Sequence, residues 1–306
     1  MAVGFGSIPQ EVIDYIRTIF ADANDRVSRA LTVQPATPEE SLDTHLIGLL
    51  STTPPMFFAQ SKAGVVVESH WLGKRHMWRS WEVADIAFLI TVRVAGMIAA
   101  RKVTLLQMKR LYSEELAGAE LERYDHELGI GRIFDKSERI VPLFPQRVFR
   151  FTPESKYAMV KAADRQVTVI DDYAKWKNIE VFYGLYNPMT VPFTGKYPWD
   201  YSTPLPSTNT VGCRVMPSTN VHGVLSKMQK GQSPSYADLT FAPFFEPDGV
   251  SGHGWRLENF IADEVLNCRR GMLFTGSFDQ TFRELMYERT GPLASAIAIT
   301  IDLAAD

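Results

Sequence analysis

Apolar residues recur at helical spacing between positions 8 and 31, where Val12, Ile13, Ile16, Ile19, Phe20 and Val27 follow Pro9. The pattern predicts an amphipathic helix whose role is packing. A second helix is expected from Thr37-Pro38-Glu39-Glu40, with Thr37 as N-cap, Pro38 in the first helical position and Glu40 completing a capping box. Leu42, Leu46 and Leu49 then form its buried stripe. From residue 64 the period changes. GVVVESHW, ADIAFLITVRV and KVTLLQMKRLY are short runs, β-branched or wholly apolar, and read as three strands of a sheet buried on both faces. After a polar insertion at about 113–150, Thr152-Pro153 opens a helix expected to reach Trp176, and IEVFYGLYN (179–187) is a fourth strand.

Pro, Gly, Ser, Thr and Asn are dense from 188 to 235, which places a boundary near 187 and a loop-rich C-terminal appendage after it. Within that appendage a helix is expected over 255–270 and a strand over 293–303. The expected organisation is an N-terminal helical segment (1–35), an α/β core (36–187) and an appendage of unassigned role (188–306). No repeat or low-complexity tract interrupts it.

At 306 residues and 45% hydrophobic content the chain suits one large or two modest folded domains. With 32 basic and 35 acidic side chains the net charge is −3, so any contact with a polyanion has to be local. Cys213 and Cys268, the only cysteines, are too few for a disulfide framework or a Cys-rich zinc module, and a reducing, cytoplasmic location is expected. The opening MAVGFGSIPQEVIDYIR has no basic segment before an apolar core, and the apolar run 84–100 is broken by Asp85 and Arg93. Neither a secretory signal nor a membrane span is therefore expected.

Asp85 opens the second strand and Gln107-Met108-Lys109 closes the third, with Gly96 midway between positions 85 and 107. A hairpin turning there sets Asp85 opposite Gln107, with Cα atoms about 4.5–5.5 Å apart, and Lys109 on the same face. An acid, an amide and an ammonium thus converge at the end of a sheet otherwise made of Val, Ile and Leu. Burying them costs several kcal/mol, on the order of 2–7 per unpaired group, unless each is paired or holds a metal. Asp85 and the Gln107 carbonyl are hard oxygen ligands suited to Mg²⁺, and Lys109 is placed to orient a water or stabilise charge on a phosphorane. The plainer account is a strand end carrying an Asp–Lys ion pair.

These residues resemble the PD-(D/E)XK nuclease superfamily in its Mrr-like variant, where Q-x-K replaces (D/E)-x-K: Asp85…Gln107-Met108-Lys109. The expected order of elements from 38 to 187 is similar to that superfamily's αβββαβ core, a restriction-endonuclease-like fold with a mixed four-stranded sheet. The phrases LLQMKRLY and EVADI look like those of restriction and phage-defence nucleases. The resemblance implies Mg²⁺ or Mn²⁺ and hydrolysis of DNA phosphodiesters. Asp85 and Gln107 would be metal ligands and Lys109 the catalytic lysine. Gln107 is an amide where many relatives have a carboxylate, and the missing negative charge weakens metal affinity.

Glu68, in the preceding strand, is a further candidate metal ligand or a group that polarises the attacking water, with a solvated strand-end carboxylate as the alternative. For the helical glutamate that such nucleases often contribute, Glu39 lies three and seven residues before Leu42 and Leu46 and so faces the sheet, whereas Glu40 lies on the outer side. Between Glu68 and Tyr112 the net charge is +5, leaving −8 for the rest. HWLGKRHMWRSW (70–81) interleaves rings with cations as strand-binding loops do, unless Trp71, Trp78 and Trp81 simply pack beneath a connection.

The histidines lack zinc spacing. Gly129-Ile130-Gly131 has no preceding strand, and no Walker A sequence occurs. Asp164, Arg165 and Gln166 are candidates for substrate contact or a hydrated helical face, and Asp171-Asp172 is expected to solvate its helix. The combined expectation is an Mg²⁺-dependent DNA endonuclease acting in the cytoplasm, in restriction or defence against phage. Double-strand scission needs two active sites, so a homodimer is expected. The alternatives are a catalytically decayed nucleic-acid-binding module and a ribonuclease on the same scaffold.

Overall fold

The structure is a computed structural model that describes residues 5–72, 82–114, 147–197, 199, 204–240, 254–274 and 293–304. The described residues form a mixed α/β fold built on a sheet to which they contribute nine strands. Much of the 113–150 insertion and residues 73–81 of the aromatic–basic segment lie outside the described residues, as do His126, His253 and Gly129–Gly131.

The first helix, α1 (Gln10–Val33), buries the stripe read from its periodicity: Val12, Ile13, Ile16, Phe20 and Val27. Phe20 meets Phe88 edge-on at 5.5 Å, which lays α1 against one face of the sheet. Helix α2 (Glu39–Ser51) starts one residue later than expected, with Pro38 as its N-cap residue. The expected capping box does not form: no side chain caps this terminus, and the Thr37 hydroxyl instead donates back to the Gln34 carbonyl. Glu40 is left exposed.

The expected strands are present as β2 (Ala63–Trp71), β3 (Ala84–Val94), β4 (Met97–Arg110) and β6 (Val181–Tyr186). The sheet extends well beyond the four expected. Its order is β1-β2-β11-β3-β4-β6-β8-β9, where β1 is Met56–Phe58, β8 Arg214–Pro217, β9 Trp255–Arg256 and β11 Leu293–Leu303, and β10 (Met272–Phe274) pairs with the start of β4. The stretch read as a loop-rich appendage thus contributes strands to the same sheet. The segment 293–303 is a strand, as read, and it lies between β2 and β3, antiparallel to the first and parallel to the second. Its sequence, LASAIAITIDL, carries apolar residues at both parities, as a strand covered on both faces requires.

β3 and β4 form the expected hairpin. Its turn is the pair Ala95-Gly96, both with positive φ (49° and 77°), the conformation of a two-residue turn that matches strand twist. Near the turn Val94 opposes Met97 and Arg93 opposes Ile98; then the register shifts and Val92 opposes Ala100. This bulge at Ala99 restores the register of a hairpin centred on Gly96, so Ile86 opposes Leu106.

β4 leads through α3 (Arg165–Lys177) to β6, which lies parallel and adjacent to it, Gln107 beside Tyr183 and Lys109 beside Leu185. The helix begins at 165 rather than 152 because the Asp164 carboxylate caps it, accepting from Gln166 N–H at 3.0 Å. Thr152 and Ser155 instead close a local turn. The helix expected over 255–270 is also different: β9 is followed by a short helical segment and a π-helical turn at Phe260–Val265. A two-stranded ribbon, β5 (Arg147–Phe151) with β7 (Phe193–Tyr197), and the short helices α4 (Ser218–Leu225) and α5 (Tyr236–Thr240) complete the described elements used below. Among the described residues no helix is long and apolar enough to cross a membrane.

Candidate active site at the end of β3 and β4

The carboxyl end of β4 and the amino end of β3 meet at one end of the sheet's central strands, and polar side chains gather there from three elements. One step beyond the Ile86–Leu106 pair, Asp85 Oδ2 accepts hydrogen bonds from the Gln107 side-chain amide and from Met108 N–H, the latter at 2.7 Å. The strand order makes this meeting possible and Ser295 of β11 secures it, donating from its hydroxyl to the Asp85 carbonyl at 2.7 Å. Lys109, buried, donates from Nζ to Glu39 Oε1 at 2.9 Å, and Glu39 Oε2 accepts from Arg110 N–H at 3.1 Å. The first residue of α2 therefore clamps both the side chain and the backbone of the strand end.

Of the residues expected to act, Asp85, Gln107, Lys109 and Glu39 are brought together. Glu68 is not. It is exposed, and its register partners are Ala298 on β11 and, one strand further, Leu89 on β3. That position is four residues along β3 from Asp85 and two strand spacings away, a separation of about 16 Å from about 3.3 Å per residue and about 4.8 Å per strand. Most of that separation, about 13 Å, is the four-residue offset along the strand direction, and the inserted β11 adds the second strand spacing.

The site also contains a residue that periodicity did not single out. Asp43 lies one helical turn after Glu39 on α2, buried, with its carboxylate accepting from the Tyr186 hydroxyl at 2.8 Å. The signal available was the i, i+4 spacing from Glu39. Burial, and then the charges of Asp85 and Glu39, hold Asp43 well above the usual carboxylate range. Asp85 is pushed up to about 7, by burial first and then by Glu39, against the opposing pull of Lys109 and the Met108 N–H. Burial alone would lower Lys109, but Glu39 and Asp85 outweigh it and keep the ammonium charged. The result is one fixed cation among three acids, of which Asp85 and Asp43 both resist ionisation.

Gln107 Oε1 is buried and has no hydrogen-bond partner among the described residues. An orphan carbonyl of this kind costs about 1–3 kcal/mol. It stands beside a carboxylate that gives up its proton only near neutrality, and both are hard oxygen donors. Together they fit a divalent ion of the Mg²⁺ type, which takes one or two protein oxygens and keeps several waters. Among the described residues no group of three or more His, Cys, Asp or Glu is spaced to enclose a metal, so a closed all-protein cage is not built here.

On the far side of β6, Tyr183 continues the same face beside Gln107. Its hydroxyl is 3.0 Å from His222 Nε2 on α4, and His222 Nδ1 is 2.7 Å from Asp171 Oδ1 on α3. Asp171, expected only to solvate its helix, therefore has a specific partner. Asp164 serves as the helix cap.

No protein-family model, curated protein or solved structure matches the chain. The chemistry of this strand end has to be read from its own geometry.

Proposed function

We propose that the strand-end group is the active site of a metal-dependent endonuclease that hydrolyses DNA phosphodiesters, on a core related to the PD-(D/E)XK nucleases. The observation that carries this reading is the convergence of Asp85, Gln107 and Lys109, from one hairpin, with Glu39 from α2. The hairpin, the crossover helix α3 and the parallel strand β6 support it in topology, and ligand sites in open α/β sheets favour the carboxyl ends of strands.

Mg²⁺ or Mn²⁺ held by Asp85 and Gln107 Oε1 would neutralise charge on the scissile phosphate. Lys109 keeps its proton, so its role is to hold the attacking water and stabilise the negative charge growing on the phosphoryl oxygens. Glu39 fixes the ammonium, and Asp85 ionises within the working pH range. Binding of the divalent ion is thereby expected to tighten with pH through about neutrality as Asp85 loses its proton.

A second reading, a nucleic-acid-binding module without catalysis, has two observations in its favour: the Gln107 amide nitrogen already satisfies Asp85, and Glu68 adds no further ligand. Plasmid digestion under titrated Mg²⁺ and Mn²⁺ separates the two. Conversion of supercoiled plasmid to nicked or linear forms is expected, and Lys109→Met should slow it by about 10²–10³-fold. Because removing Lys109 strands Glu39, the fair control is Lys109→Met combined with Glu39→Gln, checked for folding by circular dichroism. Undiminished nicking by that folded double variant overturns the assignment, and gel shift without nicking under any divalent ion selects the binding module. Parallel RNA substrates decide the ribonuclease alternative.

A further inference from the structure

Away from the strand-end group, Lys102 is buried in the first half of β4, and among the described residues no carboxylate pairs with it. Its Nζ donates to the Val265 carbonyl at 2.8 Å, at the end of the π-helical turn, and the Phe5 ring covers it with the centroid 4.7 Å away. Cys268 N–H donates to the same Val265 carbonyl at 3.2 Å. One shared acceptor thus sets Cys268 beside the lysine head, and its thiol lies within hydrogen-bonding range of Nζ. The turn that carries the thiol is pinned from its other side as well. Arg269 and Arg270 N–H both donate to the Glu264 carbonyl, at 2.8 and 2.9 Å, and Cys268 itself is held at a φ of 60°.

The two groups differ in access: Cys268 is exposed and Lys102 is not. Burial holds the Lys102 amine below the usual lysine range, and Cys268 works against that shift. A basic side chain at the end of a helical turn can serve only to satisfy its last carbonyls. That role needs a donor and nothing more, and it gives no reason for an exposed thiol to stand over an amine that burial inclines to release its proton. Cys213 makes the contrast, since it is buried and its thiol is pushed up by that burial, as in an inert structural cysteine.

We propose that Cys268 and Lys102 are a modification site for peroxide, at which the exposed thiol is oxidised and then captured by the buried amine as a covalent S–N link. In the first step the Cys268 sulfur takes one oxygen from hydrogen peroxide: the O–O bond breaks, sulfur loses two electrons, and a sulfenic acid and one water result. In the second, Lys102 releases one proton to solvent and its neutral Nζ attacks that sulfur. The S–N bond forms, the S–O bond breaks, and the sulfenic oxygen leaves as a second water with a hydrogen from the amine. Thiol, amine and one peroxide thereby give a sulfenamide and two waters. The link ties β4 to the turn after the π-helical segment, it is opened again by a thiol reductant, and it spares Cys268 the irreversible steps of oxidation. It does not depend on the nuclease reading of the strand-end group.

The test is tryptic peptide mapping by mass spectrometry of the folded full chain after hydrogen peroxide, digested without reductant. Cleavage after Lys102 should be lost, and the peptide holding Cys268 should be recovered joined to the one that begins at Lys102, the pair lighter by two hydrogens than the sum of its parts. Dithiothreitol should separate them, and Cys213 should remain a thiol throughout. Lys102→Arg keeps a donor for the Val265 carbonyl but stays protonated. In that variant no link should form, and Cys268 should instead gain two oxygens as a sulfinic acid. Where Lys102→Arg does not fold, Cys268→Ser serves, and trypsin should cut after its Lys102 with and without peroxide. Cys268 that stays a thiol, that gains oxygen while trypsin still cuts after Lys102, or that is found only in a disulfide between two chains overturns the proposal.

Discussion

Asp85 gives the sharpest energetic test, because its carboxyl is buried and its folded-state value of about 7 lies far above the 3.8 of an ordinary aspartate. Between those values the folded protein binds a proton that the unfolded chain has released. Stability is therefore greatest below the unfolded value and falls as pH rises through the folded one. The full span, at about 1.4 kcal/mol per pH unit, is about 4 kcal/mol, of which about 3 kcal/mol falls between pH 5 and pH 8.5. Asp85→Asn imitates the protonated carboxyl and removes the titration. Measured by urea unfolding in EDTA, the variant is expected to be close to wild type or slightly weaker at pH 5, since it must still satisfy Met108 N–H and the Gln107 amide. By pH 8.5 it should be the more stable protein, with the difference shifted in its favour by about 3 kcal/mol. A difference that stays constant from pH 5 to 8.5 would refute the reasoning, because it would mean that Asp85 ionises as freely folded as unfolded. Added Mg²⁺ should erase much of the wild-type loss at high pH and leave Asp85→Asn unaffected.

Other expectations follow from single contacts. Tyr186→Phe removes the hydroxyl from which buried Asp43 accepts and should cost about 1–3 kcal/mol, measured by thermal or urea unfolding. Gly184→Ala would set a Cβ 2.2 Å from Met108 Sδ, between the strands that carry the site, and should cost about 1–3 kcal/mol while slowing any cleavage activity. Asn24 bridges α1 to the C-terminal elements, accepting from Cys213 N–H at 2.6 Å and donating to Glu258 at 2.7 Å; Asn24→Ala should cost about 1–3 kcal/mol for each group left unpaired.

The strands and the hairpin were readable because each leaves a local record: β-branched runs, a glycine at the point of reversal, and polar residues where an apolar run stops. The bulge at Ala99 left no such record, yet it happened to restore the register assumed from Gly96. Glu39 was readable because helical periodicity ranks neighbouring residues by face, which is how it separated from Glu40. Two of the failures, at Glu68 and at His222, have a common cause. That β11 would enter between β2 and β3 depends on pairing over more than 200 residues, which no local pattern encodes, and the register that sets Glu68 four residues along β3 from Asp85 follows from that pairing. His222 was unreadable for the same reason: its link to Tyr183 joins residues 39 apart on two elements whose packing is set by the sheet as a whole. The helix expected over 255–270 failed differently, because an apolar stretch with a basic end fits a π turn and a short strand as well as it fits a helix.

The place of β11 bears on how the protein comes into being. During synthesis β2 and β3 are both complete before residues 293–303 exist, and until those residues arrive each presents a bare edge where its neighbour belongs. The Ser295 hydroxyl that steadies Asp85 is supplied by the same late segment. A polypeptide without residues 293–303 would thus carry every acid and the lysine of the strand-end group without the central rib that aligns them, and the group would be aligned only once that segment has paired.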